Sequence, residues 1–150
     1  MASQREILFA QVKTDLAAIN GAGSYVNTIR EVSRDLKTPD QIKSFPAIVM
    51  VEEDEPEYIA ASPRDLFLDA KCTLLVYDID QTPGTAISTK LNTLVSDVKI
   101  AMLSTTMNTH SGTCHRTAYE GMDPLAIVGS KLCGVVMRFS LRYNHTWDTP

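Results

Sequence analysis

The chain of 150 residues is 44% hydrophobic and 21% charged, which is close to the globular average and argues against disorder of the whole chain. At this length we expect one domain, residues 1–150, that buries an ordinary core without disulfide or metal support. The formal net charge of −4 and the scattered Lys and Arg residues argue against a nucleic-acid reader, which carries a basic patch.

The N-terminal segment is predicted to be a helix. Ser3 can accept a hydrogen bond from the backbone at the helix start, and Glu6 completes a capping box. Apolar residues then recur at helical spacing and form one stripe, at Leu8, Val12, Leu16 and Ile19. Gly21 and Gly23 are expected to end the helix, because glycine tolerates the left-handed conformation that is common there.

Strands are predicted for much of the segment that follows. Residues 24–34 place apolar residues among polar neighbours and are expected to form a strand. Thr38 and Pro39 predict the start of a single helical turn, because Pro is favoured at the first helical position. The run 47–51 is apolar on both faces, which predicts a central strand that is covered on each side.

The middle of the chain combines strands with a second helix. A short edge strand is predicted at 58–60, and a longer strand at 66–77, where polar and apolar residues alternate with the period of a sheet. After a connection rich in turn formers, a helix is predicted at 85–103, and Asp97 is expected to lie away from its buried face. That face is expected to carry Ile87, Leu91, Leu94, Val98, Ala101 and Met102.

The C-terminal third is predicted to be mostly strand. Residues 104–113 lack periodicity and are expected to form a loop. Residues 115–120 are predicted to form a strand that a turn at 121–124 closes, and residues 133–143 alternate more regularly than any other segment. The order of elements predicts an α+β fold in which two main helices pack on a mixed, mostly antiparallel sheet.

Cysteine usage and hydropathy indicate where the protein is used. Cys72, Cys114 and Cys133 are odd in number and widely spaced, which favours a reducing compartment over a disulfide framework. The N-terminus lacks the apolar stretch of a secretory signal, and no run approaches the ~20 apolar residues of a membrane span. We therefore expect a protein that is made and used without secretion.

Motifs that carry catalysis are absent from the sequence, including phosphate-binding glycine loops, the G-x-S-x-G elbow, H-E-x-x-H and C-x-x-C. His110, Cys114 and His115 have a spacing that suits metal ligands, but no second close pair completes a four-ligand zinc site. We expect a polar loop with two solvated histidines instead. A Cys114–His115 nucleophile is disfavoured, because neighbours on a strand point to opposite faces.

Charged residues offer two candidate protein interfaces. The first is a dense acidic run made of Glu52, Glu53, Asp54, Glu55 and Glu57. The run lacks the spacing of a calcium loop, and it is interpreted as a solvated loop, a docking surface for a basic partner, or a lining that repels DNA phosphates. The second is Arg138 with Arg142 on the polar face of the last strand. These arginines either keep that face soluble or pair with acidic groups of a neighbouring subunit.

Four features together resemble the tail terminator (tail completion) proteins of long-tailed bacteriophages. An amphipathic helix follows Ser3-Gln4-Arg5-Glu6, and Phe45-Pro46-Ala47-Ile48 enters a strand that ends in the acidic cluster Glu52 to Glu55. A helix built around Leu91, Leu94, Asp97 and Val98 follows the middle strand. The chain closes with Phe139-x-Leu141-x-Tyr143-x-His145 and a short tail, 146–150. The 104–113 loop has no counterpart in this pattern.

The resemblance implies a structural virion protein of the tail, assembled in the host cytoplasm. Such a protein forms a six-fold ring (a homohexamer), caps the tail tube, stops tube polymerisation and meets the head-proximal connector, while DNA passes through without specific binding. It implies no catalytic residue, cofactor or metal. Three alternatives remain open: a head-completion or connector protein of the same junction, a small metal- or ligand-binding domain or enzyme using His110, Cys114 and His115, and an adaptor that binds a basic peptide.

Overall fold

The computed structural model describes residues 3–53, 58–60, 65–79, 87–126 and 132–146. Within these ranges the chain forms two α-helices, one short 3₁₀ helix and six strands. The helices are α1 (Gln4–Ala17), the 3₁₀ turn (Pro39–Gln41) and α2 (Ile87–Leu103). The strands are β1 (Glu31–Ser33), β2 (Ala47–Glu52), β3 (Tyr58–Ala60), β4 (Asp65–Ile79), β5 (Arg116–Ala126) and β6 (Leu132–Thr146).

The strands form one sheet in the order β1-β2-β4-β6-β5. β1 and β2 are parallel and every other pairing is antiparallel, so the predicted mixed, mostly antiparallel sheet is confirmed. β4 and β6 pair along their whole length, from Asp65 opposite Thr146 to Ile79 opposite Leu132. β2 and β3 share the other side of β4. β1 and β5 are therefore the two lateral edges of the sheet.

Both helices pack on the same face of the sheet, which we call the helix face. Alternate residues of β4 and β6 point toward them, and the alternation predicted for both strands is confirmed. The core combines residues from every layer: Leu8, Phe9, Val12, Leu16, Met50, Cys72, Leu74, Leu94, Val98, Met102, Met137, Phe139 and Leu141. Burial of each large apolar side chain contributes about 1.5–3 kcal/mol, so this single layer of contacts holds the helices to the sheet.

Helix α1 starts as the sequence predicts but is capped by only half of the predicted box. The hydroxyl of Ser3 accepts a hydrogen bond from the backbone N–H of Glu6 at 3.1 Å. The Glu6 carboxylate does not turn back to the helix start, because it binds Arg34 instead. The helix ends at Ala17, and Gly21 and Gly23 follow it with φ angles of 73° and 64°.

The strand predicted at 24–34 is much shorter than expected. Only Glu31–Ser33 pairs with the sheet. The preceding backbone is held by Asp97 of α2, whose carboxylate accepts hydrogen bonds from the backbone N–H groups of Val26 at 3.0 Å and Asn27 at 2.7 Å. Asp97 is 1% exposed, so its predicted position away from the buried face of α2 is wrong. The physical reason is that Asp97 accepts hydrogen bonds from backbone N–H groups that have no partner in the sheet.

β5 is longer than predicted. The turn expected at 121–124 is a β-bulge between Tyr119 and Gly121, after which the strand continues to Ala126. Gly121 has a φ of 118°, a conformation that favours glycine, and its backbone accommodates the bulge. Pro124 is tolerated because β5 lies at the edge of the sheet.

The remaining predictions of secondary structure are confirmed where they fall on residues that the structure describes. β2 lies between β1 and β4 and is buried, Tyr58–Ala60 is a short strand, and residues 104–113 form turns. The turn at Pro39 is present. The connection predicted at 80–84 and the start of the second helix at 85 lie outside the described residues.

Candidate functional site

The sheet face opposite the helices carries both candidate arginines, and we call it the open face. Arg142 of β6 lies directly opposite Asp69 of β4. Its Nε and Nη2 atoms donate to the two carboxylate oxygens of Asp69 at 2.8 and 3.0 Å. These hydrogen bonds hold the pKa of Asp69 below its ordinary value. The guanidinium of Arg142 is thus bound in a two-pronged pair within its own chain.

Arg138 is held more loosely than Arg142. Its Nη2 atom lies 2.7 Å from Oδ2 of Asp123, with side chains that are 44% and 64% exposed. Lys71 and Glu120 form a second ion pair on the same face. Exposed pairs contribute about 0–1 kcal/mol, so Arg138 can change partner at little cost. Of the two arginines, Arg138 is the one available to a neighbouring subunit.

The acidic run is divided between the two faces where the structure describes it. Glu52 lies on the helix face, and its Oε1 atom is 2.5 Å from Nη2 of Arg34. Glu53 lies on the other side and accepts a hydrogen bond from Thr73 at 2.7 Å. Asp54, Glu55 and Glu57 lie outside the described residues. Glu52 and Glu53 therefore act as separate intramolecular contacts.

Arg34 joins three segments of the chain. It donates to Glu6 of α1 at 2.6 and 2.9 Å and to Glu52 of β2 at 2.5 Å, from a position just after β1. The hydrogen bond to Glu6 raises the pKa of Arg34 and lowers that of Glu6. A polar cleft of about 580 Å³ lies beside it. Its charged lining is Lys13, Glu31, Arg34, Asp35, Lys37 and Glu52.

The charged side chains of this cleft form contacts that hold the structure together. Basic and acidic side chains line it together, and Nζ of Lys37 lies 3.8 Å from Oε1 of Glu31. The hydroxyl of Ser33 bonds to the backbone of Asp35, donating to its carbonyl at 3.0 Å and accepting from its N–H at 3.2 Å. The cleft thus anchors the segment after β1. No pattern in the sequence marks Arg34, since its partners are distant along the chain.

His110 is buried, so the expectation of two solvated histidines is wrong for this residue. Its ring is 0% exposed, and Nδ1 lies 2.6 Å from Oδ2 of Asp15 in α1. Asp15 also accepts a hydrogen bond from Gln11 at 2.9 Å. Burial lowers the pKa of His110, and the bond to Asp15 opposes that shift. His110 is thereby favoured as a neutral ring that donates Nδ1–H to a carboxylate.

The sequence contains a signal for this pair. Asp15 lies one turn after Val12, within the apolar stripe of α1, and a carboxylate on a buried helix face requires a partner. The loop supplies one by turning sharply: His110, Ser111 and Gly112 have φ angles of 45°, 58° and 81°.

Cys114 and His115 do not act together. Cys114 is buried, its Sγ atom lies 3.5 Å from the carbonyl oxygen of Asn108, and burial raises the pKa of its thiol. His115 is exposed, and its ring meets Phe67 edge-on at 5.1 Å. Within the ranges that the structure describes, no group of three or more His, Cys, Asp or Glu side chains is placed to hold a metal ion. Among the described side chains, Cys114 and His115 are therefore not brought together into a metal or thiolate site.

An apolar groove of about 220 Å³ separates α2 from the edge strand β5. We call it the α2–β5 groove, and its apolar lining is Leu91, Val95, Met122, Pro124 and Val135. Met122 is 43% exposed and Tyr119, farther along β5, is 37% exposed. Nζ of Lys99 lies 4.7 Å from the centre of the Tyr119 ring. Sequence reasoning missed this groove, because it placed a turn where β5 continues.

Comparison with known protein families found no family that matches this chain, and comparison with curated proteins found no relative. Neither helix in the described part of the chain is both long and apolar enough to cross a membrane.

Proposed function

We propose that this chain is a structural virion protein that caps the tail tube of a long-tailed bacteriophage as a ring. In this role it ends tube polymerisation and joins the tail to the head-proximal connector. The proposal starts from the four sequence features that resemble tail terminator proteins. The ring would assemble from free subunits in the host cytoplasm and remain in the virion tail.

The observation that carries the proposal is the difference between the two lateral edges of the sheet. β1 is three residues long and is followed by the charged segment around Arg34, whereas β5 is eleven residues long and borders the α2–β5 groove. A ring of identical subunits needs two different, complementary surfaces on opposite sides of each subunit. Two unlike edges on opposite sides of one sheet are compatible with that arrangement and support the proposal.

The reactive side chains support a structural role over a catalytic one. His110 and Cys114 are buried and bonded to neighbouring segments, and Arg34 joins α1 to β2. Each of these side chains holds parts of the fold together, and the pKa shifts of His110 and Cys114 follow from burial.

The charge balance supports passage of DNA without binding. The net charge is −4, and Arg138 and Arg142 of the open face are each paired with a carboxylate of the same chain. Affinity for DNA grows with the number of phosphates that free Lys and Arg side chains neutralise. A channel lined by this protein would therefore release DNA readily.

The first test is the mass of the purified protein over a range of concentrations, followed by negative-stain images of any large species. The proposal predicts a closed ring of about six subunits, alone or when tail tubes of the same phage are added. A ring that binds the connector but never a tube end would favour the head-completion role instead. A protein that stays monomeric and does not bind tail tubes would contradict both roles.

A further inference from the structure

We propose that the ring contact places Leu36 of one copy in the α2–β5 groove of the next copy. This inference rests on the proposed ring and names the two surfaces that meet. It uses one head-to-tail contact repeated around the ring, because the two surfaces differ and adjoin the two opposite edge strands, β1 and β5.

Leu36 is the inserting side chain. It is 76% exposed, more than the other large hydrophobic residues of the described chain. It follows β1 and lies just beyond Arg34, which is clamped by Glu6 and Glu52. The backbone beside it is fixed by the Ser33 hydroxyl. Such a fixed support lowers the entropy that is lost when the side chain binds.

A single exposed leucine needs no explanation by itself, so the match to the groove is what matters. The groove is largely apolar and about 220 Å³ in volume, which suits one aliphatic side chain. Met122 at its rim has an unbranched side chain that can adapt to the inserted residue. Insertion of Leu36 would remove two exposed apolar surfaces from water at once.

Charges beside the two surfaces are complementary. Asp35, next to Leu36, is exposed, and its carboxylate has no ion-pair partner among the described residues. Lys99 lies one helical turn after Val95 of the groove, and its ammonium lies over the Tyr119 ring. Among the described residues, this ammonium has no carboxylate partner. With Leu36 in the groove, Asp35 and Lys99 form the flanking ion pair. Such a pair fixes the orientation of the contact more than its strength.

The test compares Leu36→Ser with Val26→Ser by sedimentation and native mass measurement, with tube ends present if the unmodified protein needs them. Both residues are exposed, at 76% and 69%, so both variants should fold, which circular dichroism checks. We expect Leu36→Ser to lower the association constant at least ~10-fold, since one apolar side chain leaves the interface, and Val26→Ser to leave it unchanged.

A charge exchange tests the orientation. Asp35→Lys and Lys99→Glu alone should each weaken the ring, and the double variant Asp35→Lys with Lys99→Glu should restore it toward the unmodified level. If Leu36→Ser assembles as well as Val26→Ser, this contact is wrong while the ring remains. If the unmodified protein forms no ring even on tube ends, the proposed function fails and this contact fails with it. If only a tube protein occupies the groove, Leu36→Ser keeps the ring and Met122→Asp loses tube binding, which also overturns the contact.

Discussion

Nδ1 of His110 lies 2.6 Å from Oδ2 of Asp15, which joins the loop before β5 to helix α1 across 95 residues of sequence. Both side chains are removed from water, the imidazole entirely. Nε2 of His110 is buried without a hydrogen-bond partner in the described structure. A second proton on the ring would place an unsatisfied N–H in the interior, so the pair favours the neutral imidazole.

The first prediction is that the protein loses stability in mild acid. Burial lowers the pKa of folded His110 below its ordinary value of 6.5, so the unfolded chain takes up the proton first as the pH falls. The stabilising contribution is complete above about pH 6.5 and is lost between there and the folded pKa, with a slope of at most about 1.4 kcal/mol per pH unit for one proton.

Urea unfolding at pH 7.5 and pH 5.5 measures this loss. His115→Asn is the matched control, because it removes an exposed histidine and keeps the His110–Asp15 pair. His110→Gln should be less stable at pH 7.5 and show a shallower decline toward pH 5.5. An equal decline in His110→Gln and the unmodified protein would rule out His110 as the titrating group.

The second prediction concerns Asp97. Replacement by Ala removes the acceptor of the partly buried backbone N–H groups of Val26 and Asn27. We expect a loss of about 1.5–3 kcal/mol in the free energy of unfolding, the range for hydrogen bonds to charged groups. Ser96→Ala, at an exposed position of the same helix, should change it by less than about 0.5 kcal/mol. Similar changes in the free energy of unfolding for Asp97→Ala and Ser96→Ala would contradict the role of Asp97 in holding the segment at Val26.

The third prediction compares two arginines. Arg34→Ala should cost about 1 kcal/mol, because Glu52 loses a half-buried partner, and the cost should shrink at high salt. Arg138→Ala removes a pair that is far more exposed and should change stability by less than about 0.5 kcal/mol. Guanidinium is itself a salt, so urea unfolding at low and high NaCl is the suitable measurement. A larger loss of stability in Arg138→Ala than in Arg34→Ala would contradict this prediction.

The fourth prediction is that the thiols are unreactive while the protein is folded. Cys72, Cys114 and Cys133 are all buried, and burial raises the pKa of Cys72 to about 12. The thiolate is the reactive form, so we expect modification by a thiol reagent to be at least ~10-fold slower in buffer than in denaturant. Three thiols that react rapidly in the folded state would contradict this burial.

Local patterns in the sequence predicted the parts of the fold that depend on local contacts. The Ser3 cap, the turn at Pro39 and the alternation of 133–143 each follow from spacing that neighbouring residues enforce. The alternation is informative because β6 has one face against the helices, so a shift by one residue would bury its arginines. The α+β class follows from these elements together.

Distant partners explain what the sequence did not predict. Asp97 looks like a surface residue until the segment at Val26 folds against it, and His110 looks solvated until Asp15 is seen to need a donor. Gly121 marks a bulge instead of a turn only because β6 continues beside it. The α2–β5 groove depends on that continuation, so it was missed for the same reason.

The proposal that this protein caps the tail tube as a ring is tested most directly by tube growth in its presence. Tail tube subunits of the same phage are polymerised with and without the chain, and tube lengths are measured by electron microscopy. The account predicts tubes that stop growing and carry a ring at one end, with Leu36→Ser failing to cap and Val26→Ser capping normally. Unchanged tube lengths and bare tube ends, at concentrations where the protein is folded, would contradict it.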